Sequence, residues 1–176
     1  MNDIFVERYL PQPLTEADIR AMQMAVGGCL DIHRIDWRGS LVSSEGTEMF
    51  CHFRGPDAES VRIAMHRLGA PPPGKVWACR VQDAPGFEAA DLARANVVID
   101  HRFDEPADFG ARQVLDDVDM GCFPVRRLRL VRSYLTMDGL RMMALYEAPD
   151  AEWVRLAQRR AGLPADRVWA VRRYAP

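Results

Sequence analysis

The chain has 176 residues, 48% of them hydrophobic and 27% charged, and a formal net charge of -2 at pH 7. This balance argues against a broad nucleic-acid-binding surface, which needs a basic face, and provides no polybasic membrane anchor. No apolar run approaches the about 18 residues of a membrane helix, and the first residues lack the apolar region of a signal peptide. We therefore expect a cytoplasmic protein whose four cysteines are reduced, buried thiols.

The chain contains a long internal repeat. Gly55–Arg62 recurs 93 positions later as Ala148–Arg155, and Val76–Ala78 recurs 92 positions later as Val168–Ala170. One register, with a single inserted residue, holds over almost the whole chain. The two halves are therefore copies of one duplicated unit.

Both copies show the same order of predicted elements. Alternating β-forming residues predict strands, Asp-Gly or Glu-Gly turns predict hairpins, and Asp or Thr before a helical pattern predicts a cap. The first copy reads as strand Ile4–Leu10, a helix from Thr15, strands Arg34–Val42 and Glu48–Arg54, a helix after Asp57, and a strand around Val76–Ala78. The second reads as strand Val97–Phe103, a helix near Asp108 that buries Val114, Leu115 and Val118, strands Arg127–Thr136 and Arg141–Glu147, a helix after Asp150, and a strand around Val168–Ala170.

This order, β-α-β-β-α-β, is that of the ferredoxin-like motif. We predict an α+β protein with one unit at residues 1–81, a linker at 82–95 with a short helix within 87–95, and a second unit at 96–176. Both helices of such a unit cover one sheet face, and the other apolar face must also be covered. We expect the two sheets to pack together as an intramolecular pseudo-dimeric α+β barrel with a cavity between them, which leaves further dimerisation open.

Four stretches carry a family resemblance: Phe5–Tyr9, Val131–Tyr134, Tyr146–Glu152 and Arg159–Val168. They resemble a bacterial family of small ferredoxin-like proteins of unknown physiological function, commonly described as nickel-binding-protein-like. The resemblance covers nearly all of the second half and is looser in the first. Members are typically one unit long and pair as dimers, so the resemblance implies a fused tandem version.

The resemblance also implies a divalent metal such as nickel as the cofactor. Branches of the family with the metal label carry two histidines in the second helix, one directly before its terminal glycine and one four residues earlier. Here those positions are Ala64 and Leu68 in the first copy and Ala157 and Ala161 in the second. None of these side chains can bind a metal, so the resemblance implies the fold rather than the ligands.

Strand alternation predicts which side chains lie on the helix-free sheet faces. In the first unit these are Phe5, Glu7, Tyr9, Phe50, His52 and Arg54, and in the second they are Val98, Asp100, Arg102, Met143, Leu145 and Glu147. Glu7 and Asp100 are equivalent acids on the predicted central strands.

These charged side chains have two interpretations. Glu7, Asp100 or His52 could move a proton inside an apolar pocket, with Arg54 or Arg132 holding an anionic substrate. Alternatively, Glu7 or Asp100 forms a salt bridge with Arg54, Arg102 or Arg132, because buried charges persist when they are paired.

A metal site is a third interpretation. Imidazole and carboxylate suit nickel or zinc, so His52, His101, Asp100 and Glu7 could form a mixed site. Cys51 cannot join His52 in such a site, because adjacent strand residues point to opposite faces.

The sequence therefore predicts a protein that binds a small molecule or a metal ion in the cavity between its sheets. Two alternatives remain: a cofactor-free enzyme of the monooxygenase, isomerase or dehydratase type, by analogy of fold alone, and a protein-interaction module. The sequence has no P-loop, GxGxxG motif or Ser-His-Asp arrangement.

Overall fold

A computed structural model describes residues 1–68, 70, 74–110, 128–162 and 165–175; within the helix at 16–32, the side chains of residues 23 and 25–29 also lie outside the description. The elements are β1 (Asn2–Tyr9), α1 (Glu16–Ile32), β2 (Asp36–Ser43), β3 (Glu48–Gly55), α2 (Ala58–Arg67), β4 (Lys75–Asp83), α3 (Asp91–Arg94), β5 (Val97–Arg102), β6 (Arg129–Thr136), β7 (Arg141–Glu147), α4 (Ala151–Ala161) and β8 (Arg167–Tyr174). The helix predicted near Asp108, with Val114, Leu115 and Val118, falls largely outside the described residues. Among the described residues, no helix combines the length and apolar character needed to cross a bilayer.

The two copies have the same sheet order. In the first, β1 pairs antiparallel with β3 and β4, and β3 pairs with β2, which gives the order β4-β1-β3-β2. In the second, β5 pairs antiparallel with β7 and β8, and β7 pairs with β6, which gives β8-β5-β7-β6. The predicted α+β class, with two ferredoxin-like units in tandem, is confirmed.

By their contacts, the residues divide into two compact units. The first unit is Met1–Cys79 with Arg172–Pro176, and the second is Arg80–Val171. The predicted boundaries, at residues 81 and 96, follow the sequence repeat and differ from this division by contacts. The short helix predicted within 87–95 is α3, which is four residues long.

The core of the first unit lies between one face of its sheet and the helices α1 and α2. Ile4 and Val6 of β1 pack there with Val61 and Ala64 of α2, and all four are fully buried. The predicted caps hold both helices in place. Thr15 forms a capping box with Asp18, and the Asp57 carboxylate accepts from the Ser60 backbone N–H at 2.7 Å.

The core of the second unit uses the equivalent faces. Val97 and Ile99 of β5 are buried against Val154 and Ala157 of α4. The Asp150 carboxylate caps α4 by accepting from the Trp153 backbone N–H at 2.8 Å. The helix ends at Gly162, whose φ of 66° is the left-handed conformation of a glycine C-cap.

Glycines shape both hairpins in the way the turn sequences predict. Gly46 has a φ of 76° and Gly139 a φ of 74°, a region that favours glycine. A Cβ on Gly139 would also lie 2.9 Å from the Ala107 carbonyl oxygen. Both backbone conformation and space therefore require glycine at this turn.

Candidate functional site

Aromatic and acidic side chains gather on the helix-free face of the first unit's sheet. We call this group the acid–aromatic cluster: Asp3, Phe5, Glu7, Tyr9, His52 and Trp77. Phe5 lies at its centre because the strand register pairs it with His52 on β3 and with Trp77 on β4. The Phe5 ring stacks on both, with centroid distances of 5.4 Å to His52 and 5.0 Å to Trp77.

The Glu7 carboxylate is the buried acid of the cluster, with 1% of the residue exposed. The Trp77 indole Nε1–H donates to Glu7 Oε1 at 2.5 Å, and the Tyr9 hydroxyl donates to Glu7 Oε2 at 3.3 Å. Each carboxylate oxygen thus accepts from a neutral aromatic donor. These donors fix the orientation of the carboxylate.

His52 is held by an acid of its own. Its Nε2 lies 2.8 Å from Asp3 Oδ1, and the histidine is buried whereas the side chain of Asp3 is 26% exposed. An ionised carboxylate only accepts hydrogen bonds, so Nε2 carries the proton in this contact. A carboxylate-oriented imidazole of this kind suits general acid–base chemistry.

The central acid of the second unit forms an ion pair. Asp100, equivalent to Glu7, is 5% exposed and accepts two hydrogen bonds from Arg141, from Nε at 2.7 Å and from NH2 at 2.8 Å. This is a bidentate, charge-assisted ion pair. Leu145 stands where the first unit has His52, so no equivalent histidine–acid pair exists on this sheet face.

The equivalent of Asp3 is also structural. Asn96 donates from its side chain to the Ala148 carbonyl at 2.7 Å and accepts from the Ala148 N–H at 3.0 Å. The Asn96 amide therefore holds the chain between β7 and α4. The acid–aromatic cluster has no counterpart in the second unit.

The other predicted site residues lie apart from the cluster's hydrogen bonds. Arg54 is exposed at the end of β3. Arg132 donates from Nε to Asp83 at 2.5 Å and lies over the Phe87 ring at 4.8 Å, so its guanidinium has a structural role. Glu147 accepts from Arg94 at 3.1 Å.

The predicted salt bridge at Asp100 exists, but its cation is not one of the predicted arginines. Arg54, Arg102 and Arg132 were the expected cations, and the observed one is Arg141. Strand β7 pairs Met143 with Asp100, so Arg141 lies two residues along the same face, within reach of a long side chain. The register, rather than the residue types, decides this pair.

Asp3 and Trp77 are the cluster residues that the predicted helix-free face did not include. Asp3 precedes the predicted start of the first strand at Ile4, whereas β1 begins at Asn2. Continuing the alternation from Glu7 and Phe5 would have placed Asp3 on the same face. Trp77 lies on the strand predicted around Val76–Ala78, for which no face was predicted.

Two buried thiols occur among the described side chains of the first unit. Burial raises the pKa of the Cys79 thiol to about 12, with a further contribution from the nearby Asp3 carboxylate. Burial also raises the pKa of Cys51, against the opposing effect of Arg8. Both are free cysteines and stay protonated near neutral pH, so neither is a nucleophile in this fold.

The described donors do not fit a nickel ion. Among the described residues, no three His, Cys, Asp or Glu side chains come together as a metal site. His101 Nε2 lies 3.2 Å from the Gln158 amide nitrogen of α4, on the face opposite to Asp100. Of the predicted mixed site of His52, His101, Asp100 and Glu7, the two residues of β5, Asp100 and His101, therefore point to opposite faces of the strand. A divalent metal such as nickel stays a prediction.

The sequence is that of a tandem ferredoxin-like α+β protein. The family described as "Nickel responsive protein SCO4226-like" matches residues 5–76 and 99–171, once in each copy of the repeat. The chain belongs to this family, which confirms the resemblance found in the sequence. No curated protein matches the chain.

Solved structures give a wider comparison. SCO4226 from Streptomyces coelicolor A3(2) is 14% identical, with 42% of this chain and 90% of that chain covered and a TM-score of 0.39. A putative chlorite dismutase, TA0507, is 14% identical, with 99% and 94% covered and a TM-score of 0.52. A putative monooxygenase from Lactobacillus acidophilus NCFM is 11% identical, with 98% and 94% covered and a TM-score of 0.48. At these identities, the likeness to the putative chlorite dismutase shows a shared fold and nothing about activity.

Proposed function

We propose that this protein binds a small planar organic molecule on the helix-free face of its first unit. The molecule carries an acidic O–H or N–H group, which Glu7 accepts as a hydrogen bond and with which His52 shares a proton. The observation that carries this proposal is the pair of buried groups, Glu7 and His52, each oriented by its own partner on one sheet face.

The aromatic rings supply the binding surface. Phe5, His52 and Trp77 form a continuous stacked group, and a planar ligand gains from offset or edge contacts with such rings. Glu7 supplies the polar contact that orients the ligand, as in other pockets with few polar groups in an apolar lining.

The donor set favours an organic ligand over a metal ion. The name of the family refers to a response to nickel, yet the helix positions expected to hold histidines are Ala64, Leu68, Ala157 and Ala161. Hydrocarbon side chains cannot coordinate a cation, whereas the acid–aromatic cluster offers hydrogen bonding and stacking.

A second candidate function is general acid–base catalysis on the same ligand. The Asp3–His52 contact favours it, because a carboxylate that orients an imidazole is a common arrangement of a histidine in general acid–base catalysis. In this case the bound molecule is a substrate of an isomerase or dehydratase type of reaction, which moves protons without a cofactor.

The proposal is tested with 1-naphthol, a planar molecule with an acidic O–H. Nuclear magnetic resonance titration at pH 7 is expected to shift the His52 ring and Trp77 indole signals. His52→Gln and Trp77→Phe should each weaken the affinity by about tenfold, the effect of removing one buried hydrogen bond and its ring contact.

Trp169→Phe is the matched control, because Trp169 is the equivalent residue of the second unit. It should leave the affinity for 1-naphthol unchanged. Equal losses in Trp77→Phe and Trp169→Phe, or titration signals that shift only in the second unit, would overturn the proposal.

A further inference from the structure

A cleft in the second unit lies between α4 and the start of β8. Its volume is about 350 Å³, and its lining includes Arg155, Gln158 and Arg159 from the helix, with Asp166 and Arg167 opposite. The three helix residues share one face because they are three and four positions apart. The cleft therefore combines several charged groups with one amide.

Positive charge predominates on the helix side of the cleft. Arg155 and Arg159 share one carboxylate, that of Glu152, at 3.1 Å and 3.0 Å. A single carboxylate cannot neutralise two guanidinium groups. On the opposite side, the Asp166 carboxylate accepts from the Arg102 backbone N–H at 2.6 Å, and the Arg167 guanidinium lies over the Trp169 ring at 4.6 Å.

The amide is the unusual group in the lining. Gln158 is 3% exposed, although it lies on a helix whose other buried residues include Val154 and Ala157. Burying a polar amide costs free energy unless it is hydrogen-bonded. The 3.2 Å contact with His101 Nε2 provides such a bond and restricts the orientation of the amide.

The first unit carries different residues at the positions equivalent to Gln158 and Arg159. There Met65 takes the place of Gln158 and packs in the hydrophobic core. His66 replaces Arg159, and the remaining guanidinium of Arg62 has its own carboxylate in Glu59. The fold thus accommodates an apolar residue and a balanced charge at these positions. Folding alone therefore does not require Gln158 and Arg159 in the second unit.

From these observations we infer that the cleft binds the phosphoryl or carboxylate group of a small molecule. Guanidinium groups bind both oxyanions through paired, charge-assisted hydrogen bonds. A volume of about 350 Å³ is that of a pocket for a small metabolite. Gln158 adds an uncharged hydrogen-bonding group at the buried side of the cleft. This site is separate from the acid–aromatic cluster and does not depend on the function proposed for it.

Isothermal titration calorimetry of the full chain at constant ionic strength tests the inference, with pyrophosphate and citrate as separate probes. One of the two should bind saturably with a stoichiometry of one, and the tighter probe identifies the chemical source of the anion. Arg159→Gln should weaken that binding by about tenfold, because it removes a charge-assisted contact from an exposed side chain without a role in the core.

Gln158→Met, which introduces the first unit's residue, should weaken binding in the same way. Arg62→Gln is the matched control and should leave the affinity unchanged. Circular dichroism checks that each variant is folded. Failure of both probes to bind saturably would overturn the inference, as would an equal loss of affinity in Arg62→Gln.

Discussion

Glu7 in the first unit and Asp100 in the second occupy the same position on the same kind of central strand. Glu7 accepts hydrogen bonds from the Trp77 indole and the Tyr9 hydroxyl. Asp100 is bound by two nitrogens of the Arg141 guanidinium. In a duplicated fold, one acid thus accepts hydrogen bonds from two neutral aromatic donors, whereas the equivalent acid forms a bidentate ion pair.

The reason for the difference lies on the neighbouring strands. Arg141 stands where the first unit has Glu48, and Leu145 stands where it has His52. The helix-facing side chains, which form the two cores, change less in character because both units must pack the same helices on the same sheet. The differences around the two acids lie on the helix-free faces, and a specific function can arise there.

Among substitutions that test this comparison, the largest expected effect on stability is in the second unit. Asp100→Ala leaves the largely buried Arg141 without its carboxylate and should lower the free energy of unfolding by about 3 kcal/mol. Urea denaturation followed by circular dichroism measures the loss. Adding Arg141→Met should recover most of it, since a well-packed apolar residue can replace a buried ion pair. A double variant as unstable as the single one would show that the pair has no such role.

We expect part of the loss of stability at acidic pH to arise from an ion pair of the second unit, Asp91 with Arg129. Asp91 is buried, and hydrogen bonds from Arg129 at 2.7 Å and 2.8 Å hold the pKa of its carboxyl below the usual range. Because the folded pKa lies below the unfolded value of about 3.9, its contribution is present above that pH and is lost as the pH falls through the folded pKa.

Asp91→Asn should therefore lower the stability at pH 7 and flatten the dependence of stability on pH below about pH 4. Urea denaturation at a series of pH values measures both effects. Asp36→Asn is a suitable control, because Asp36 is an exposed aspartate at the start of β2 in the first unit. An unchanged pH dependence in Asp91→Asn would contradict this account.

The smallest effect concerns two equivalent serines. Ser40 Oγ accepts from Trp37 Nε1 at 3.1 Å and donates to Cys51 Sγ at 3.1 Å. Ser133 is fully buried, and its hydroxyl has no hydrogen-bond partner among the described residues. Ser40→Ala should cost about 1 kcal/mol, whereas Ser133→Ala should be neutral or stabilising. Thermal unfolding of both variants decides this, and a larger loss in Ser133→Ala would be the contrary result.

Much of the fold could be predicted because its signals are local. The caps at Thr15, Asp57 and Asp150 and the turns at Gly46 and Gly139 depend on residues within a few positions of each other. The repeat then supplied the order of elements twice. The family resemblance and the fold class follow from the same signals.

The site could be predicted only in part because its contacts are not local. Alternation placed Glu7 and His52 on one face, but Asp3 lies before the predicted strand, and its contact with His52 spans 49 positions. The Asp100–Arg141 pair depends on a register two residues along β7. Residue types and spacing do not determine which of several arginines reaches an acid across a sheet.

The central claim is that the first unit's acid serves a ligand while the second unit's acid serves the fold. The most direct test compares the affinity for 1-naphthol, by isothermal titration calorimetry, in Glu7→Gln and in the double variant Asp100→Asn/Arg141→Met. Glu7→Gln should weaken binding by about tenfold, and the double variant should bind like the wild type. An unchanged affinity in Glu7→Gln, or an equal loss in the double variant, would contradict the claim.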